Sequence, residues 1–123
     1  MARVAAIMRG GEALPLVVPE TPMSETLLVM TRKGLGVAGV VQDGVLTGII
    51  TDGDLRRNMD RLREKTAGQV ATKTPLSVAP GSLAVEAVAL MNQHKIQMLF
   101  VVTPDRVPLG VLHIQDCLRA GVA

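Results

Sequence analysis

The sequence predicts an α/β protein built from two similar halves, each with a small sheet covered by helices. The main observation is an internal repeat, in which residues 82–91 resemble residues 21–30 at an offset of 61. After a turn that is one residue longer in the second copy, residues 110–118 match residues 48–56 at an offset of 62. A register kept over about 50 residues per copy indicates internal duplication.

Two copies are too few for a solenoid, so we expect two pseudo-symmetric halves that cover each other's apolar faces. The expected boundaries are residues 1–62 for the first half and residues 63–123 for the second. Each half is predicted to have the order β-α-β-β-α behind a short leading helix. That leading helix is expected at residues 3–8 in the first copy and at residues 66–71 in the second.

The first long helix is predicted from its caps and its apolar spacing. Thr21 is a favoured N-cap with Pro22 in the first helical position, so the helix should begin there. Three apolar side chains at i, i+4 and i+7 give this helix one buried face, namely Met23, Leu27 and Met30. Gly34 and Gly36 should end it.

The strands and the second helix of the first half follow from residue type and turn chemistry. Residues 15–18 are expected to be extended. Residues 37–41 form a β-branched run, and an Asp-Gly turn joins them to a partner strand at residues 45–51. A helix should then run from Asp52 to about Arg61.

The second half repeats this order with a longer hairpin turn, Thr-Pro-Asp-Arg, in place of Asp-Gly. Its expected elements are an extended stretch at residues 76–79, a helix at 82–94, strands at 98–103 and 108–113, and a helix at 114–120.

Composition narrows the range of functions. Hydrophobic residues make up 48% and charged residues 20%, which is typical of a globular domain. The net charge of +2 and the single aromatic residue, Phe100, argue against a nucleic-acid or membrane partner. Cys117 is the only cysteine, and with only His94 and His113 as histidines it predicts no disulfide and no metal site. A lone cysteine fits a reducing, cytoplasmic location.

A half of about 60 residues that ends in Gly-hydrophobic-hydrophobic-Thr-x-x-Asp, as at residues 48–54, resembles the CBS motif, named after cystathionine β-synthase. Two in tandem resemble a CBS pair, or Bateman module. A narrower resemblance is to the C-terminal CBS pair of the arabinose-5-phosphate isomerase family. The segments that carry it are residues 31–36, 48–57, 65–68, 111–113 and 118–122. The chain departs from the family pattern at residues 6–9 (Ala-Ile-Met-Arg), where Asp and His are usual, and at residues 70–72 (Val-Ala-Thr), which lack the frequent Met.

This resemblance implies a function for the chain. Family members interconvert arabinose 5-phosphate and ribulose 5-phosphate for the synthesis of the sugar acid Kdo. Their chemistry resides in an N-terminal sugar-isomerase domain, which we expect to be absent from these 123 residues. The chain is therefore expected to be a regulatory region, not an enzyme, with no catalytic residues and no cofactor. Its expected partners are the isomerase domain, further copies of itself as a homodimer or larger assembly, and an effector. That effector would be a nucleotide or a nucleotide-sugar such as the cytidine-monophosphate conjugate of Kdo (CMP-Kdo), bound in the cleft between the halves.

The resemblance also implies which residues bind the effector. In many CBS modules the Asp of the motif bonds the ribose hydroxyls and the Thr contacts a phosphate, which assigns these roles to Asp54 and Thr51. A carboxylate suits two vicinal hydroxyls, and free N–H groups at a helix start favour phosphate. The other residues implied are Arg56 for an anionic group, Val37, Ala38, Met98 and Leu99 as walls of a base pocket, and His113 and Asp116 in the second half.

A purely structural interpretation stands beside this one. Thr51 and Asp54 also have the spacing of a capping box, in which the two side chains complete the start of a helix and bind no ligand. The module would then be an oligomerisation scaffold.

Overall fold

The computed structural model describes residues 1–73 and 75–122 and divides the chain into two compact units. The continuous unit is Pro15–Pro75, and the composite unit joins Met1–Leu14 to the chain from Leu76 onward. The leading segment of each repeat therefore packs with the body of the other repeat. The predicted halves, residues 1–62 and 63–123, describe the repeats and stay a prediction.

In the described part of the chain, the continuous unit holds a four-stranded sheet in the order β1-β2-β3-β4. Its elements are β1 (Leu16–Val17), α1 (Met23–Lys33), β2 (Ala38–Gln42), β3 (Val45–Ile50), α2 (Asp52–Arg57), a 3₁₀ turn (Leu62–Glu64), α3 (Ala67–Val70) and β4 (Thr72–Lys73). Strand β1 runs parallel to β2, and the other neighbours are antiparallel. The sheet and helices bury a core of Val17, Met23, Met30, Ala38, Val40, Ile50, Ala67 and Val70.

The start of α1 differs from the prediction. The helix begins at Met23, and Pro22 is its N-cap in an extended conformation, so the predicted cap at Thr21 is wrong. The Thr21 hydroxyl instead accepts a hydrogen bond from the Val18 backbone N–H at 3.1 Å. The Met23 N–H donates to the Lys65 carbonyl at 2.9 Å, so a tertiary contact takes up one of the free donors at the helix start.

The rest of α1 and the hairpin that follows agree with the sequence. The two methionines of the predicted apolar face, at 23 and 30, are buried, and Leu27 is half-buried. Gly34 adopts a left-handed conformation, with φ of 68°, and donates its N–H to the Met30 carbonyl. Asp43 and Gly44 both have positive φ, at 52° and 79°, which is the geometry of a tight two-residue hairpin turn.

The second helix, α2, is shorter than predicted. It ends at Arg57, not near Arg61, because the Asn58 side chain donates to the Asp54 carbonyl at 2.8 Å and closes the last turn. Arg61 then adopts a left-handed conformation, with φ of 58°, which directs the chain into the 3₁₀ turn.

The composite unit repeats the architecture with a sheet in the order β5-β6-β7 among the described residues. Its elements are two 3₁₀ turns (Val4–Ala6 and Gly11–Ala13), β5 (Ser77–Val78), α4 (Ala84–His94), β6 (Met98–Val102), β7 (Pro108–His113) and α5 (Ile114–Arg119). The leading helix predicted at residues 3–8 is thus a 3₁₀ turn. The core comprises Val4, Ala87, Val88, Met91, Leu99, Val101, Leu112 and Cys117. No described helix combines the length and the apolar character that crossing a bilayer requires.

Both leading segments dock in the same way. In the composite unit Arg9 pairs with Val111 of β7, and in the continuous unit Thr72 pairs with Ile49 of β3. A glycine precedes each paired strand residue and allows the close approach. A Cβ atom at Gly110 would lie 2.6 Å from the Met8 sulfur and 2.7 Å from the Arg9 carbonyl oxygen.

This close approach predicts that a methyl group added at Gly110 destabilises the protein. Gly110→Ala should lower the free energy of unfolding by about 1–3 kcal/mol, since the backbone of the leading segment must move. Urea unfolding followed by far-UV circular dichroism measures this in a chain without Trp or Tyr. Gly81→Ala is the matched control, because a Cβ there meets nothing within 4 Å. Equal stability of the two variants would contradict the prediction.

Candidate functional site

Asp54 lies in the first turn of α2, and only 3% of its surface is exposed. Its Oδ2 accepts from the Thr51 backbone N–H at 2.9 Å and from the Thr51 hydroxyl at 3.1 Å. The two residues form the capping box that the sequence predicted as the structural alternative. The carboxylate therefore joins the end of β3 to the start of α2.

The other oxygen of Asp54 reaches two further residues. Its Oδ1 accepts from the Thr72 hydroxyl at 2.6 Å and from Arg57 Nη2 at 2.7 Å. A carboxylate offers about four acceptor positions, so these donors and the two from Thr51 fill it. Arg57 is 66% exposed at its side chain, whereas Thr72 belongs to β4 in the docked leading segment.

These contacts set the charge of Asp54. Burial acts most strongly and raises the pKa of the carboxyl, but hydrogen bonds from Thr72, Thr51 and Arg57 together outweigh it. The net result is a pKa below the ordinary 3.8, so the group is an anion at neutral pH.

Asp116 occupies the equivalent position in the composite unit, in the first turn of α5. Arg9 donates two hydrogen bonds to its carboxylate, from Nε to Oδ2 and from Nη2 to Oδ1, each 2.9 Å long. Arg119 Nη1 lies farther away, 3.7 Å from Oδ1. The hydrogen bond from Arg9 is the main cause that lowers the pKa of Asp116, and burial opposes it. His113 caps α5 by accepting the Gln115 N–H at its Nδ1, 3.0 Å away.

The wall residues expected for a base pocket are buried in their units. Val37 and Ala38 are 2% and 0% exposed, and Ala38 pairs with Ile50, directly before Thr51. In the composite unit Met98 pairs with His113, and Leu99 with Leu112. The site residues implied by the resemblance thus form one group in each unit. The continuous unit holds Val37, Ala38, Thr51, Asp54 and Arg56, and the composite unit holds Met98, Leu99, His113 and Asp116.

Sequence reasoning missed the residues that contact these aspartates most closely. In the sequence Thr72 and Arg9 stand out only as departures from the family pattern, and Arg57 only as a neighbour of Arg56 that could reach an anionic group or lie on a solvated helix face. The repeat held a usable signal, because the offset of 63 between the leading segments aligns Arg9 with Thr72. Arg56, the arginine that was favoured, lies exposed on α2.

A shallow depression of about 350 Å³ lies on the continuous unit. Its lining residues come from α1, α2 and the loop after α1, namely Leu27, Met30, Thr31, Gly34, Gly36, Asp52 and Leu55. Asp52 and Leu55 are the chain neighbours of Thr51 and Asp54, but neither of these two predicted ligand residues lines the depression itself.

Comparison with known sequences decides the family. The sequence pattern of the CBS domain matches residues 4–61 and again residues 67–123. The chain belongs to the CBS domain family. Arabinose 5-phosphate isomerase KdsD of Pseudomonas aeruginosa is 45% identical over 124 residues, which cover 98% of this chain and 38% of that protein. KdsD of Escherichia coli K12 is 42% identical with the same coverage. The chain therefore spans about two fifths of the length of these curated relatives, and it corresponds to a CBS pair.

Solved structures confirm the α/β CBS-pair fold. CBSX2 in complex with AMP superposes with a TM-score of 0.88 at 25% identity, covering 99% of this chain and 97% of that chain. CBSX2 comes from Arabidopsis thaliana. The CBS pair of MJ0100, solved with methylthioadenosine and S-adenosylmethionine, gives a TM-score of 0.86 at 18% identity, covering 98% and 96%. The predicted tandem repeat is confirmed as a CBS pair.

The Thr72 hydroxyl should contribute measurably to the stability of this CBS pair. Thr72→Val removes a hydrogen bond to a buried anion and should lower the free energy of unfolding by about 1–3 kcal/mol. Urea unfolding at neutral pH gives the value. Thr31→Val is the matched control, since its exposed hydroxyl bonds only the Leu27 carbonyl in its own helix among the contacts described. A loss no larger than that of the control would show that Thr72 is dispensable.

The ion pair of Asp116 should make stability depend on pH in the acid range. Its folded pKa lies below the ordinary 3.8, so its stabilising contribution is complete above pH 3.8 and is lost as pH falls through the lower folded value. The difference in unfolding free energy between wild type and Asp116→Asn should stay constant near neutral pH and shrink below pH 3.8. Urea titrations across this range test it. Asp105→Asn, at an exposed turn, is the control. If its difference in unfolding free energy from wild type shrank below pH 3.8 in the same way, the ion pair of Asp116 would not be the cause.

Proposed function

We propose that the chain is the regulatory CBS pair of an arabinose 5-phosphate isomerase and that it binds a nucleotide effector through Asp54. The identity to KdsD over nearly the whole chain supports the parent enzyme. In the parent, effector binding would modulate the attached isomerase domain. Coupling of this kind typically amounts to about 1–3 kcal/mol, enough to change affinity or activity several-fold or more.

The arrangement around Asp54 carries this proposal. A nucleotide offers two vicinal hydroxyls on its ribose and an anionic phosphate. The ionised Asp54 carboxylate accepts from hydroxyl donors, as its bonds to Thr51 and Thr72 illustrate. Beside it, the exposed Arg57 guanidinium is free to turn from the carboxylate toward a phosphate, for which its planar fork is suited.

Binding requires an exchange of donors, because the carboxylate is already filled. The Thr72 hydroxyl is a neutral donor with one bond to Asp54, so a ribose hydroxyl can replace it with a bond of the same kind. If Arg57 moves at the same time, it frees a second position for the vicinal hydroxyl. The exchange therefore conserves the number of hydrogen bonds on the anion.

The AMP complex of CBSX2 supports an adenosine nucleotide as the first effector to test. CMP-Kdo is the second, since feedback from the pathway of the parent enzyme would use such a nucleotide-sugar. Both ligands present the same chemistry to Asp54, namely a ribose diol next to phosphate. The base and the sugar acid distinguish them.

Isothermal calorimetry with AMP, CMP and CMP-Kdo tests the proposal on the purified chain. We expect saturable heat with one of these ligands and an affinity at least about tenfold lower in Asp54→Asn, equivalent to about 1.4 kcal/mol. Asp52→Asn is the matched control, an exposed carboxylate in the same turn, and should bind normally. Circular dichroism verifies that each variant is folded. Equal losses in the two variants would remove Asp54 from the site.

An oligomerisation scaffold is the second candidate, and one observation favours it. Asp54 already has its acceptor positions filled by residues of its own unit, which explains its burial without any ligand. No heat with any of the three ligands, from folded protein, would support the scaffold. Light scattering on the same samples measures the mass and tests the expected homodimer or larger assembly.

A further inference from the structure

We propose that Arg9 closes the second half of the module, so that the CBS pair takes one nucleotide per chain, at Asp54. This inference rests on the proposed function and specifies its stoichiometry. The sequence repeat alone suggests two equivalent sites, because both halves carry an aspartate at the same position. The contacts of the two aspartates show that the halves are not equivalent.

The two aspartates are held from the same positions. Arg57 and Arg119 each follow their aspartate by three residues on the helix. The strand pairing then fixes the equivalence of the leading segments, since Thr72 pairs with β3 and Arg9 with β7 one residue beyond a matching glycine. Thr72 and Arg9 therefore reach the two carboxylates from corresponding places.

The donors at these corresponding places differ in charge and in number of bonds. Thr72 gives Asp54 one bond from a neutral hydroxyl. Arg9 gives Asp116 two parallel bonds from a guanidinium, a geometry that is both stronger and more specific. The arginines three residues after each aspartate differ as well. Arg57 Nη2 lies 2.7 Å from Asp54 Oδ1, whereas Arg119 Nη1 lies 3.7 Å from Asp116 Oδ1.

The free energy needed for a ligand hydroxyl to displace the existing donors consequently differs between the two carboxylates. At Asp54 one hydroxyl replaces the Thr72 hydroxyl, and a second takes the place of the exposed Arg57 side chain, which can turn toward the phosphate. At Asp116 a ligand hydroxyl must break a bidentate ion pair whose carboxylate is only 12% exposed, and two neutral donors do not compensate for the lost charge. The Arg9 backbone is also fixed, because its N–H and carbonyl both bond Val111, at 2.9 and 2.8 Å. The guanidinium therefore reaches Asp116 from a backbone that is held in place.

The residue before each helix differs as well. The Thr51 hydroxyl takes part in the capping box of α2 and also donates to the Asp54 carboxylate. The His113 ring caps α5 by accepting the Gln115 N–H at its Nδ1. The composite unit therefore has an imidazole where the continuous unit has a hydroxyl.

Calorimetric stoichiometry with AMP tests the proposal on the purified chain. Wild type should bind one AMP per chain, and Arg9→Thr, which gives the composite unit the residue that the continuous unit has at the corresponding place, should bind two. Arg3→Thr is the matched control from the same leading segment, since Arg3 bonds the Gly81 carbonyl, and it should keep one site. Two sites in wild type, or one site in folded Arg9→Thr, would overturn the proposal.

The converse variant covers a failure of Arg9→Thr to fold. Thr72→Arg places the closing residue at Asp54 and should weaken AMP binding at least tenfold while circular dichroism shows a folded chain. Binding of wild-type affinity by this variant would overturn the role of the arginine and leave nucleotide binding itself intact. No heat from wild type or from either variant with AMP, CMP or CMP-Kdo would overturn the proposed function, and this inference with it.

Discussion

In each compact unit a largely buried aspartate holds three parts of the chain together. Asp54 contacts the end of β3, the start of α2 and the docked strand β4. Asp116 contacts the end of β7 through the His113 backbone N–H, the start of α5 and the docked segment that carries Arg9. A buried carboxylate without donors would be strongly destabilising, so each segment that supplies a donor must stay in place. This requirement adds to the backbone pairing and the buried apolar residues that hold each leading segment on the other repeat.

The same chemistry that satisfies a structural carboxylate makes it a candidate for ligand recognition. Hydroxyl groups of Thr51 and Thr72 occupy Asp54 as the hydroxyls of a ribose would. Arg9 occupies Asp116 with a charged fork that no hydroxyl replaces at equal cost. A duplicated fold can therefore keep its architecture in both units while the leading segments give the two aspartates different donors, a hydroxyl in one and a guanidinium in the other.

Some elements were predictable because their signals are local. The Asp43-Gly44 turn and the left-handed Gly34 need only the conformational freedom of those residues, and both have the expected positive φ. The start of α1 and the end of α2 were not predicted, because distant or side-chain contacts set them. The Lys65 carbonyl takes the Met23 N–H, and the Asn58 side chain closes α2.

The sequence by itself determined the duplication, the order of helices and strands apart from the short strand β4, the CBS resemblance and the position of both aspartates. These follow from spacing, residue type and the offset between the copies. Tertiary structure alone decided the partners of the aspartates. Arg9 and Asp116 are 107 positions apart in the sequence. From the sequence alone, any of the 13 Lys and Arg side chains is an equally good partner for a carboxylate. Only the docking of each leading segment on the other repeat brings these groups within hydrogen-bond distance, and that docking is a property of the folded chain.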